Sequence, residues 1–288
     1  MATVRLTGEP MALQRLSGVG GPGVILVTGP KGGAVIKYPL RQEAFFYRKL
    51  APIVRQRGLG VPELYAQSEE SRGDWILIEA LPFTLEPLYQ NKLADLTAYL
   101  AKLHTISSGN APIRPDDPLP VRPVVLRYQD IEDACALWPA DTRGHLNGLL
   151  QLPWPSLPNE RRMVSGDPNP TNWGIRASGQ LVLFDWSEVA FSHPAYDLGV
   201  LCGGLPEVAL VQDVVNFYLA SPDVQPGQNP DEWVAWVITA RLVACVWFAA
   251  RWKRGQLTEA ARPGLAMLQT GLRDWIDQVR PVLIAFLP

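Results

Sequence analysis

MVSGDPNPTNWGIRASGQLVLFDWSEVAFSHPAYDLG, residues 163–199, is the stretch that decides the fold. Proline and glycine punctuate its first part, so Asp167 and Asn172, five residues apart, fall in a loop. The apolar run LVLF reads as a strand, and a tight turn at Ser178-Gly179 folds it back beside the segment before it, carrying Asp185 toward that loop. Three oxygen-bearing side chains can then converge. Magnesium prefers hard oxygen ligands and takes only one or two from protein, completing its octahedron with water and substrate phosphates. A carboxylate with an amide suits it, and a third group is left for a nucleophile. Taken singly, each of these residues is equally a solvated loop residue, because Asp and Asn are favoured in turns.

Upstream, the pattern is short, apolar and broken by glycine. Ala12 to Leu16, VILVT and AVIKY predict three antiparallel strands joined by glycine-rich turns. After Pro39, RQEAFFYRKLAPIVRQ carries apolar residues at 46, 47, 50, 53 and 54, the stripe of an amphipathic helix. VPELYAQSE and WILIEAL supply two further strands, the second ending before Pro82. From Leu93 the spacing turns helical, in LADLTAYLAKLH and near 207–220, 231–254 and 258–286. The expectation is an α+β chain of two lobes: residues 1–81, a small antiparallel sheet plus helix, and residues 82–288, mainly helical. The prolines cluster at 112–123 and 153–158 and read as rigid loops.

Composition narrows the class. Of 288 residues 47% are hydrophobic and 19% charged, and 26 basic against 28 acidic side chains leave a net charge of -2. That suits a folded globular protein and offers no field for nucleic acid or an anionic membrane. Cys135, Cys202 and Cys245 are far apart and share no metal-ligand spacing with His104, His145 and His193, which points to a reduced compartment. MATVRLTGEP lacks the apolar run of a signal peptide, so the cytoplasm is expected. The apolar run from Trp233 to Trp252 contains Arg241 and Arg251 and reads as a buried helix.

The order Gly166-Asp167, four residues, Asn172, then a strand ending in Phe184-Asp185 resembles the kinase-like phosphotransferases, the family of aminoglycoside and choline kinases. Pro170, two before the Asn, is also typical. The resemblance implies that Asp167 orients the acceptor hydroxyl and accepts its proton, that Asn172 and Asp185 hold magnesium against the phosphates of ATP or GTP, and that Asp197 supports the backbone of the catalytic loop. Lys37, ending the strand AVIK, matches the family's nucleotide-binding lysine. Glu43 is its one local carboxylate partner, although its place in the first helical turn equally suits the helix dipole. In SGVGGPG, residues 17–23, Ser17, Gly18 and Gly20 would cover phosphates, or form only a hairpin turn. Glu79 and Leu81 fall where the interlobe hinge would offer backbone groups to adenine, and His104 is expected to be structural. The family motif opens with His where this chain has Ser165, expected to alter only the brace of the loop.

The function implied is transfer of the γ-phosphoryl group to a hydroxyl of a small molecule, with a nucleotide-binding module without catalysis as the alternative. Asp130, Glu132 and Asp133 could attract a cationic acceptor or form a solvated helix face, and Trp233 and Trp236 could face a ligand or fill the core. Neither nucleic acid nor membrane is an expected partner, and no oligomeric state is implied.

Overall fold

The computed structural model describes residues 12–16, 23–30, 32–68, 75–85, 89–106 and 118–286. Five strands form an antiparallel sheet in the order β1-β2-β3-β5-β4: β1 (Ala12–Leu16), β2 (Val24–Gly29), β3 (Gly32–Lys37), β4 (Leu64–Gln67) and β5 (Ile76–Glu79). Helix α1 crosses between β3 and β4 as Arg41–Phe45, a π-helical turn Phe46–Leu50, and Ala51–Gln56. The periodicity predicts one continuous helix here; the widened turn has a cause in Pro52, which has no N–H to donate and whose ring crowds the carbonyl four residues back. Phe46, Tyr47, Leu50 and Val54 are buried, so the predicted stripe is the packed face.

Beyond the sheet, β5 does not run into the next element. Phe83–Thr84 forms β6, which joins β8 (Trp173–Ile175) and β9 (Leu181–Leu183) in a three-stranded sheet, while β7 (Arg162–Val164) pairs with β10 (Ala190–Ser192). These short pairs hold the segment 163–199. Helices α2 (Leu93–Thr105), α3 (Tyr128–Cys135), α4 (Ala140–Leu150), α5 (Ala195–Leu201), α6 (Val208–Leu219), α7 (Pro230–Lys253) and α8 (Arg262–Ile284) make up the rest. Helix α7 is the axis, packed by α3, α5, α6 and α8. It is long and apolar enough to cross a membrane, yet 83% of its apolar window is buried inside the protein. Its Arg241 points Nε at the Gly204 carbonyl, 2.8 Å away.

The two parts are tied at Gly60, whose carbonyl accepts from the Leu183 amide at 3.1 Å and from the Tyr99 hydroxyl at 2.8 Å. A Cβ there would lie 2.0 Å from the Leu181 carbonyl oxygen, so only glycine allows this approach.

Candidate active site

The strand-loop-strand unit β7 to β9 places Asp167, and the loop is pinned from below. Asp197, at the start of α5 and fully buried, accepts from the backbone amides of Ser165 and Gly166, each at 2.8 Å. Its Oδ2 also meets His104 Nε2 at 3.2 Å, and His104 Nδ1 meets the Tyr218 hydroxyl at 2.9 Å. Both histidine nitrogens are thereby used inside the core, as the structural reading of His104 expects. Gly166 adopts φ 82°, and a Cβ on it would sit 1.9 Å from the Glu188 carbonyl oxygen. The chain can turn into Asp167 only with glycine before it.

Two side-chain amides grip Asp167. Asn169 Nδ2 donates to Oδ1 at 2.8 Å, and Asn172 Nδ2 donates to Oδ2 at 2.9 Å and to the Asp167 carbonyl at 2.8 Å. Burial pushes the Asp167 carboxyl up to about 6, with Asp185 and Glu188 adding to the rise and the two asparagines opposing it. Asn169 had no part in the sequence reading; its signal is the Asn-Pro turn, where its Oδ1 caps the turn Pro170–Asn172 by accepting from the Thr171 amide.

Asp185 follows β9 in the left-handed region, φ 58° and ψ 70°, the one non-glycine residue with positive φ among the described residues. Such a conformation costs about 1–3 kcal/mol and persists where the surroundings enforce it. Here Trp186 stacks on Phe46 of α1, centroids 3.8 Å apart and planes 10° from parallel, and Gln42 Nε2 donates to the Ser187 carbonyl at 2.7 Å. Helix α1 therefore clamps the segment that carries Asp185.

Lys37 closes the group from the sheet side. Its Nζ lies 2.8 Å from Glu43 Oε1 and 2.6 Å from Asp185 Oδ1. Of the two roles open to Glu43, the ion pair with Lys37 forms, and the first-turn position is what delivers it. Burial pulls the Lys37 ammonium down, but the two carboxylates outweigh it and its pKa is raised. Burial pushes the fully buried Glu43 up to about 7 against the pull of Lys37. For Asp185 burial acts upward too, yet Lys37 prevails and its pKa is lowered.

The remaining predicted residues stand apart from this group. The Glu79 side chain turns to Arg176, whose Nε donates at 2.8 Å, and Leu81 packs over Gly174, where a Cβ would be 2.4 Å from Leu81 Cδ1. Ser17, Gly18 and Gly20 lie outside the described residues. Trp233 and Trp236 are core, their rings packed on His193. Asp130 and Asp133 pair with Arg254 on the exposed face of α3, at 2.7 and 2.6 Å.

Among the described residues no three His, Cys, Asp or Glu side chains are grouped to hold a metal. The donors do fit an ion that brings its own phosphate ligands. The Asn172 NH2 is committed to Asp167, which leaves Oδ1 as the free end of the amide, and Asp185 supplies the carboxylate.

The family model described as "APH: Phosphotransferase enzyme family" matches residues 13–233. This chain belongs to the phosphotransferase enzyme family. No curated protein sequence matches it. Among solved structures, this phosphotransferase is similar to choline kinase LicA from Streptococcus pneumoniae, with a TM-score of 0.58 at 14% identity over 94% of this chain and 95% of that one. Macrolide 2'-phosphotransferase MphH from Brachybacterium faecium gives 0.57 at 16% identity over 92% and 94%. Spectinomycin phosphotransferase APH(9)-Ia in complex with ADP and spectinomycin gives 0.61 at 11% identity over 95% and 93%. At these identities the likeness establishes the fold: α+β, bilobed and protein kinase-like, as the sequence predicts.

Proposed function

We propose that this phosphotransferase moves the γ-phosphoryl group of ATP to a hydroxyl of a small molecule, with residues 1–81 as the nucleotide lobe and 82–288 as the lobe carrying the catalytic loop and acceptor site. The observation that supports it is the division of carboxylates. Asp185 is engaged by a cation, whereas Asp167 is held by two neutral amides. A carboxylate free of cations keeps its basicity, and a carboxylate on lysine sits where phosphates gather.

In this reading Lys37, aimed by Glu43, meets the nucleotide phosphates. Asn172 and Asp185 would hold magnesium, whose charge offsets the negative charge on the transferring group. Asp167 orients the acceptor hydroxyl and takes its proton as the acceptor oxygen bonds to the γ-phosphorus and the bond to the β,γ-bridging oxygen breaks, releasing ADP. Backbone groups of Glu79 and Leu81 would meet adenine, and the segment holding Ser17, Gly18 and Gly20 would cover the phosphates. ATP is favoured over GTP because related folds are solved with adenine nucleotides, ADP in one case and AMP in others.

Asp167→Ala is expected to abolish magnesium-dependent turnover and leave nucleotide affinity nearly intact. Equal turnover by that variant would sink the assignment. The second reading, nucleotide binding without catalysis, is motivated by Ser165. ATP binding with no transfer across a broad hydroxyl library would favour it.

A further inference from the structure

The carbonyl of Gly166 belongs to the planar peptide group that leads into Asp167, so its direction helps set how the Asp167 side chain leaves the main chain. Arg122, in the strap before α3, donates to that carbonyl from Nη1 at 3.3 Å. The same Nη1 lies 3.3 Å from the Tyr196 hydroxyl, and Nη2 donates to Glu188 Oε2. Glu188 follows Asp185 by three residues. One guanidinium therefore spans two segments, the one that leads into Asp167 and the one that follows Asp185. These segments touch where Arg122 joins them: a Cβ on Gly166 would meet the Glu188 carbonyl oxygen at 1.9 Å and Arg122 Nη1 at 3.1 Å.

Arg122 is itself fixed at both ends. Its amide donates to the Phe191 carbonyl at 2.8 Å and its carbonyl accepts from Ser192 Oγ at 2.7 Å, so its main chain lies along β10, the strand paired with β7. At the other end, the guanidinium carbon is 5.1 Å from the Tyr196 ring centroid and 4.9 Å from that of Trp247, and the side chain is 16% exposed. Glu188 is held from its other oxygen as well, where Arg251 Nη1 donates to Oε1 at 3.1 Å. A planar fork whose base and partner are both held loses little freedom in forming its bonds.

The other contacts fix each segment separately. Helix α1 clamps the segment after Asp185 through Phe46 and Gln42, and Asp197 holds the amides of Ser165 and Gly166 from the core. Arg122 ties the carbonyl side of Gly166 to the neighbouring segment. Resting on the phosphotransferase reading, we propose that Arg122 is a positioning residue for phosphoryl transfer: by holding the Gly166 carbonyl and the Glu188 carboxylate in one fork, it sets the separation of Asp167 from Asp185 and so the alignment of the acceptor hydroxyl with the γ-phosphorus.

The test uses the full-length protein with magnesium-ATP, with water and a broad hydroxyl library as acceptors. Turnover is read as ADP release, and the order of the loop as amide hydrogen exchange in residues 163–169. Arg122→Met keeps a long side chain and removes the fork. It should lower kcat roughly tenfold or more, with KM for ATP within about threefold and a cooperative thermal melt. Exchange in 163–169 should quicken roughly tenfold while residues 233–243 of α7 stay within about twofold. Arg122→Lys keeps the charge, but one ammonium does not reproduce a two-ended fork, so kcat should stay well below wild type. The proposal is overturned if kcat of either variant lies within about threefold of wild type, or if exchange quickens equally in α7, which would make Arg122 a general support of the fold. If Arg122→Met does not fold, Arg122→Lys is judged on the same readings. Failure of ATP binding, or equal ADP release by wild type and Asp167→Ala, counts instead against the phosphotransferase reading. Exchange then decides for Arg122: a rate in 163–169 within about twofold of wild type overturns its role, and a confined rise supports it.

Discussion

Asp197→Asn separates holding the catalytic loop from doing its chemistry, because among the described residues the Asp197 carboxylate hydrogen-bonds only to backbone amides and His104. The substitution keeps the shape and changes one acceptor oxygen into an NH2. If the retained oxygen stays on the Gly166 amide, that bond changes from charge-assisted to neutral and loses about half its strength, near 1 kcal/mol. The new NH2 then faces the Ser165 N–H, which is left buried without an acceptor at a cost of about 1–3 kcal/mol. His104 absorbs the rest by a change of tautomer, since the Tyr218 hydroxyl both donates and accepts. The sum is about 2–4 kcal/mol, within the 5–15 kcal/mol typical of a folded domain, so the protein stays folded.

The catalytic loop bears the consequence. With the Ser165 amide repelled, the backbone entering Asp167 shifts, and a misplacement of about 1 Å costs on the order of 100-fold in rate. Urea denaturation followed by tryptophan fluorescence gives the stability change, calorimetry the nucleotide affinity, and ADP release the turnover. Loss of stability by about 2–4 kcal/mol, nucleotide affinity within threefold and turnover down about 100-fold are expected. A stability loss under about 1 kcal/mol together with near-normal turnover would refute the reasoning, since it would mean that the loop does not depend on these two bonds.

Gly166→Ala places a Cβ 1.9 Å from the Glu188 carbonyl oxygen at a φ of 82°, so the Glu188 and Asp167 segments must part; turnover should fall about 100-fold or more while the melting cooperativity persists. Ser165→Ala removes a buried hydroxyl that has no hydrogen-bond partner among the described residues, so stability by denaturation should change by less than about 1 kcal/mol. Burial holds His193 neutral, down to about 4 from 6.5, with His104 lowering it further and Glu160 opposing. The unfolded state therefore binds the extra proton first, and as pH falls from 6.5 toward 4 the protein loses up to about 3 kcal/mol through this group. His193→Asn, which can still accept from the Ala195 amide, should flatten the pH slope of stability in that window relative to wild type; an unchanged slope would exclude His193 as its source.

What was legible in the sequence follows from range. The sheet of the first lobe pairs strands that follow one another in the chain, apart from β3 with β5 across helix α1 and β4, and its strands show in glycine spacing and apolar runs; the long helices show in their period. The three-residue strands β7 and β10 are too short for a period, and β6 pairs with β8 some ninety positions away, so none of these announces itself. In the site, Asp167, Asn172, Asp185, Lys37 and Glu43 were each visible from a motif, and the structure brings them into one group. Arg122, Glu188 and Arg251 were not, because they are contributed by a strap, a 3-10 turn and a distant helix, and only folding makes them neighbours.

Ser165 shows the same limit from the other side. A motif read as a string makes this position the weak point, since a smaller residue stands where the family has His. The structure shows what carries the load instead: two backbone amides, those of Ser165 and Gly166, whose N–H groups do not depend on the side chain at 165 short of proline, which has none. Their acceptor Asp197 is placed by α5 and held by His104 on α2, so the brace comes from helices that pack in the core. The loop in this chain is therefore fixed through its main chain, and its tolerance of serine follows from where the hydrogen bonds run. The Ser165 hydroxyl, unpartnered among the described residues, is what such an arrangement leaves behind.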